Sequence, residues 1–335
     1  QELLGRSIID VSTNLYKVLQ ALPNQTAYQL LKMHKQFVAP IDAAILKYAK
    51  TQPGKDNTVI YANVSDFLEK LAALERNKHG YKIGAKEPLS GISDKVCQET
   101  IRALDTPEMR EISNAVQAMH QARLDLIVKY NLLGPDTAAT VANWKQAYTH
   151  YMPFKSWEDI VATQDPNWYK GDTRRSISTP NAQKKLGVRA TGRNTAAQDP
   201  LPHSIMQLYD VVHLVEKAKA QRSLIDLAKQ AQQHEALEDS IRIVEIRTKD
   251  NSDTWTDLKR TINKDTGLIE YKKTSSTAEG QSPNVVTAIA ADGSLVKIFV
   301  ADPSVAKALK GENILQAPAY IKAIGTLQHV MGKYL

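Results

Sequence analysis

Residues 106–131 read TPEMREISNAVQAMHQARLDLIVKYN. Thr106 followed by Pro107 is a strong helix start, because a hydroxyl can cap the first turn and proline at the first helical position loses no hydrogen bond. Ile112, Ala115, Val116, Met119, Leu126 and Ile127 then recur at three- and four-residue steps, the period of a helix with one apolar face. Downstream, Gly134-Pro135-Asp136 breaks the pattern, and a further helix is expected over 135–147, reaching Trp144.

The same period governs most of the first 250 residues. From Thr26 to Lys50, Phe37, Ile41, Ala44, Ile45 and Tyr48 make one apolar face, and Pro40 inside it predicts a kink or a fresh start. Gln52-Pro53-Gly54 ends that helix, and Ser65 is expected to cap a short one running to Asn77. Residues 78–92, rich in Gly, Lys and Ser, read as a loop, and Ser93 or Asp94 caps a helix to Leu104. From 148 to 202 the periodicity vanishes and five prolines appear. A long helix is expected from His203 to Glu238. Ile241 to Arg247 then alternates like a strand. Two β-branched runs joined at Asp292-Gly293 predict a hairpin over 285–300, and Asp302-Pro303 opens a short helix. The expected fold is mainly α with minor β: an irregular multi-helix body, a long flexible basic arm and a small C-terminal β-hairpin. The expected divisions are a helical domain over 1–147, an extended basic linker over 148–202, and a long helix with a small α+β region over 203–335.

Of 335 residues, 42% are hydrophobic and 24% charged, which is ordinary for a packed globular chain. The single cysteine, Cys97, excludes an internal disulfide framework, and as a lone thiol on a predicted helix it reads as a small buried group. No apolar run approaches the ~20 residues of a membrane span, so no integral membrane segment is expected. The chain starts at Gln1 without a signal-peptide pattern, which leads to the expectation of a processed product or a piece of a larger protein. None of the eight histidines forms an i, i+4 pair, and no phosphate-binding glycine loop or nucleophile elbow occurs. No catalytic residue, metal or cofactor is therefore expected.

The formal charge is +7, and it is unevenly placed. Residues 170–202 carry seven cations, Lys170, Arg174, Arg175, Lys184, Lys185, Arg189 and Arg193, against two carboxylates. Such a stretch can follow nucleic-acid phosphates, dock on an acidic protein surface, or stand as a solvated charged loop. Trp168 and Tyr169 beside it can stack on bases or pin the loop to the body.

Several pieces taken together resemble one family. Leu74-Glu75-Arg76-Asn77 is similar to the Ala-x-x-x-Glu-Arg-Asn segment of large polyvalent proteins from phages and conjugative elements, and Ser90-Gly91-Ile92-Ser93-Asp94 is similar to the Ser-Gly-Met-Thr step that follows it. Tyr130 to Leu133, with Thr137, Val141 and Trp144, leads into His150-Tyr151-Met152-Pro153-Phe154-Lys155, which resembles the family's His-Tyr-Val-Pro-Leu-Lys motif. Thr191-Gly192-Arg193, Asn284 to Ala290 and Asp302-Pro303 with Ala308-Leu309-Lys310-Gly311 continue the resemblance in the same order. The departures, Ile92, Met152 and Phe154, are conservative.

The resemblance implies a helical segment of a very large protein that travels with DNA, as phage internal virion (ejection) proteins do. It implies virion proteins or copies of itself as partners, with DNA as a further one. It places the chain in the virion interior and then in the host envelope or cytoplasm. It brings no catalytic residue. Glu75, Arg76, Asn77, His150, Tyr151 and Pro153 are expected to be structural, with Glu75 and Arg76 pairing with other helices and the His150 turn closing a helix end.

Overall fold

A computed structural model describes residues 15–134, 136–147, 149–153, 200–232, 238–248, 254–258, 261–262, 269–270 and 272–310. It is mainly helical with a small antiparallel sheet near the C-terminus. The helices are α1 (Leu15–Met33), α2 (Ala39–Lys50), α3 (Asn57–Lys82), α4 (Asp94–Leu104), α5 (Pro107–Lys129), α6 (Thr137–Ala147), α7 (Pro200–Ala231) and α8 (Pro303–Leu309). The strands are β1 (Ile241–Arg247), β2 (Trp255–Asp257), β3 (Thr261–Ile262), β4 (Ile269–Glu270), β5 (Lys273–Thr274), β6 (Val285–Ile289) and β7 (Leu295–Val300). Among the described residues no helix is long and apolar enough to cross a membrane.

The caps fall where the residue chemistry puts them. Thr106 Oγ1 accepts the Met109 N–H at 3.2 Å, and Ser93 Oγ accepts that of Val96 at 3.4 Å. Pro40 stands in the first turn of α2, where a fresh helix start was expected. The turn before it, His34–Val38, widens to a π-turn in which the Ala39 N–H bonds the His34 carbonyl. This wider turn lets the helical path continue past a residue that has no N–H to give.

The long helix runs Pro200–Ala231 rather than from His203 to Glu238, the first begins at Leu15 rather than near Thr26, and both ends of α3 differ from expectation. Helix α3 is capped by Asp56 rather than Ser65, because Ile60, Val64, Phe67 and Leu68 extend the apolar stripe backwards into the core. Its far end runs to Lys82, beyond the expected stop at Asn77. Gly80 sits in that last turn because Leu89 lies against it: a Cβ there would stand 2.5 Å from Leu89 Cγ.

Helix α7 joins everything. Its 32 residues reach about 48 Å. Leu201 and Leu208 enter a core with α2, α3 and α5, built on Ile41, Tyr48, Phe67, Met109, Ile112 and Met119. Val211 and Val215 pack with Ile127, Leu132 and Val141. Leu224, Leu227 and Ala228 lie on the sheet against Ile241, Ile243, Val286, Val296 and Ile298.

The expected hairpin is part of a larger sheet. Strand β7 pairs with β6 and with β1, in the order β5-β2-β1-β7-β6, all antiparallel; β3 and β4 form a separate pair. A bulge in β1 between Ile243 and Glu245 shifts the alternation by one residue. Ile241, Ile243 and Ile246 thereby all reach the α7 side, while Glu245 turns to the opposite face.

Candidate functional site

Residues from three distant stretches meet at the C-terminal half of α3. Glu75 Oε2 accepts the backbone N–H groups of Thr149 and His150 at 2.8 and 2.6 Å. Its Oε1 meets His150 Nδ1 at 2.9 Å. Burial alone would raise the Glu75 carboxyl; the bonds from His150 and Thr149 outweigh it and hold the group below the ordinary carboxylate range. The His150 turn therefore gives its N–H groups to α3. Arg76 lies beside this contact, half-buried.

Two residues on, Asn77 is fully buried and uses both ends of its amide. Its Nδ2 donates to the Ile92 carbonyl at 2.8 Å and to Asp94 Oδ1 at 2.7 Å, and its Oδ1 accepts the Ser90 N–H at 3.0 Å. Gly91 has φ +75° in the turn so clamped, a conformation that favours glycine. The Glu-Arg-Asn segment and the Ser-Gly-Ile-Ser-Asp step are thus two halves of one joint.

The Glu75 contact delivers the next three residues inward. Met152 and Pro153 are buried, and Met152 Sδ lies 3.8 Å from Ser204 Oγ of α7, whose hydroxyl donates to the Pro200 carbonyl at 2.9 Å. Tyr151 lies between α5 and α7. The His120 ring meets it edge-on at 5.2 Å, and the Arg123 guanidinium stacks over it at 5.1 Å. Arg123 Nη1 donates to Gln207 Oε1 of α7. Burial pushes His120 down to about 3, and the Arg123 cation adds to that.

Two further joints carry resemblance residues. Asn131, at φ 46°, ends α5 in a left-handed turn, and its Nδ2 donates to the Ala291 carbonyl of the hairpin at 2.8 Å. Thr137 Oγ1 accepts the Leu133 N–H at 3.1 Å and donates to the Gly134 carbonyl at 2.6 Å.

On the outer face of the sheet, Glu245 is 0% exposed. It accepts from Lys297 Nζ at 2.7 Å, Ser276 Oγ at 3.0 Å, Thr277 Oγ1 at 2.6 Å and the Thr277 N–H. Gly280 lies against the carboxylate with no room for a Cβ. Burial would raise Glu245, but Lys297 and Thr277 hold it below the ordinary range. A charged carboxylate saturated with donors is a poor base, and Ser276 both donates to this carboxylate and accepts from the Lys297 ammonium at 2.7 Å. Sequence reasoning missed this cluster; its only signal was the broken alternation of Ile241-Arg-Ile-Val-Glu-Ile-Arg.

Cys97 is fully buried in α4, where burial raises its thiol to about 11, well away from a reactive thiolate. Among the described residues no group of histidine, cysteine and carboxylate side chains is arranged to hold a metal. Lys170, Arg174, Arg175, Lys184, Lys185, Arg189 and Arg193 lie outside the described residues. No family model, curated protein or solved structure matches the chain.

The buried imidazole makes stability depend on pH. The unfolded chain takes up a proton near the ordinary histidine value of 6.5, whereas native His120 resists it down to about 3. Stability is therefore full above that window and falls as the pH drops through it, by up to ~1.4 kcal/mol per unit. Glu75 adds a second loss at lower pH, as its depressed carboxyl finally protonates. Urea unfolding from about pH 7 to about pH 4 should show a shallower decline for His120→Leu than for the parent chain. Equal slopes would mean that His120 is not the group responsible.

Proposed function

We propose that this chain is a structural and interaction segment of a large phage internal virion (ejection) protein, delivered with DNA and assembling with copies of itself or with other virion proteins. The observation that supports this reading most is where the resemblance residues are used. Glu75 is committed to the Thr149–His150 turn, Asn77 to the Ser90–Asp94 turn, and Asn131 to the hairpin. Residues engaged as joints serve architecture, and a segment built around joints suits a scaffold that presents surfaces to neighbours. Electron microscopy of the native particle, with mass spectrometry of its components, tests this. Many copies in a ring, a tube or a virion interior are expected; a lone monomer with no virion partner contradicts the assembly reading.

A second reading, contact with incoming DNA, is favoured by the seven cations against two carboxylates in 170–202. Phosphate contacts release counterions, so binding should weaken steeply with salt. Changing Arg174, Arg175, Lys184 and Lys185 together to Gln should cut affinity for duplex DNA by at least ~tenfold at about 0.1 M salt and flatten the salt slope. Unchanged affinity and slope would remove this stretch as the DNA site.

A further inference from the structure

Three side chains along α5 have fully buried polar atoms without a hydrogen-bond partner among the described residues: Gln117 Nε2, both ring nitrogens of His120, and Arg123 Nε. Their spacing, a step of three residues, places neighbours in the row next to each other along the helix. His120 is 3% exposed and Arg123 8%. Both border the same Tyr151 ring, at 5.2 and 5.1 Å. Gln207 Oε1 is taken by Arg123 Nη1, and the Tyr151 hydroxyl accepts from the same guanidinium. Among the described residues no carboxylate pairs with Arg123.

A buried cation without a counter-charge among the described residues and a row of unmet donors are both costly. Water is a poor remedy, because it must place two hydrogens of its own and the stripe presents mainly donors. A guest that only accepts, and brings negative charge, meets both needs. We propose that Arg123 and His120, beside the Tyr151 ring, form a binding site for an oxyanion, with Gln117 as a flanking donor. The guest is a phosphate or a carboxylate group. It takes the Arg123 Nε–H and the N–H of neutral His120, and it couples α5 to the Tyr151 turn and to α7.

The Nε–H resonance of Arg123 reads the site directly in a 15N-labelled sample of the whole chain. Sodium phosphate and sodium acetate are titrated separately to about 10 mM against sodium chloride at matched ionic strength; a site with a Kd of ~1 mM is then ~90% filled. A saturable shift of the Arg123 Nε–H with phosphate or acetate, absent with chloride, is the expected result, and the stronger ligand names the group. Arg123→Gln should abolish the response in the ring signals of His120. Should that variant not fold, Gln117→Leu keeps the charge and should weaken binding about tenfold. No saturable shift with either anion, or the same shift with chloride, overturns the proposal and leaves the donors to water.

Discussion

Glu75 reaches from α3 to take the N–H groups of Thr149 and His150 with one oxygen and the His150 ring with the other. These residues are more than 70 positions apart in the chain. Hydrogen bonds to a charged acceptor are worth roughly 1.5–3 kcal/mol each, more than neutral ones. Their geometric effect is larger. They fix the exit of α6, so Tyr151, Met152 and Pro153 enter the space between α5 and α7. Without that contact, Met152 would leave a hole beside Leu201 and Leu208, and Tyr151 would leave His120 and Arg123 without their ring.

Helix α7 carries the same constraint to the sheet. One end shares the helical core with Met152, and the other lies on β1, β6 and β7. Gln221 of α7 accepts the Ile289 N–H of β6 at 3.2 Å, which occupies a backbone donor on the outermost strand. Arg222 donates to the Tyr130 carbonyl at 3.2 Å and stacks over that ring, and Asn131 holds the hairpin turn. The helical body and the sheet are therefore joined by polar contacts at the end of α5 as well as by apolar packing.

Much of the helical body was legible because period and caps agree. Thr106-Pro107 and Ser93 start helices, and the apolar stripe of α5 is its buried face. The same reading failed where tertiary contacts override local signals. Ser65 is a good cap residue, yet Val64 and Ile60 before it belong to the core, so the helix passes through. Gly80 looks like a loop residue, but its missing side chain makes room for Leu89. The extra strands β2 and β5 are two or three residues long, too short for any alternation to register. Of the joints, the resemblance pointed to Glu75, Asn77 and His150 as structural but not to the contacts they make. His120, Arg123 and Glu245 were not legible, since nothing local distinguishes a buried polar side chain from a solvated one.

Amide hydrogen exchange at Thr149 and His150 tests most directly whether the Glu75 contact closes the helical body. Both amides have Glu75 as their acceptor and lie outside any helix or strand, so a loose turn would not protect them. The account predicts that they exchange as slowly as the core amides of α5 and lose that protection in Glu75→Ala. Exchange at unprotected rates in the parent chain, with α5 and α7 still protected, would contradict it.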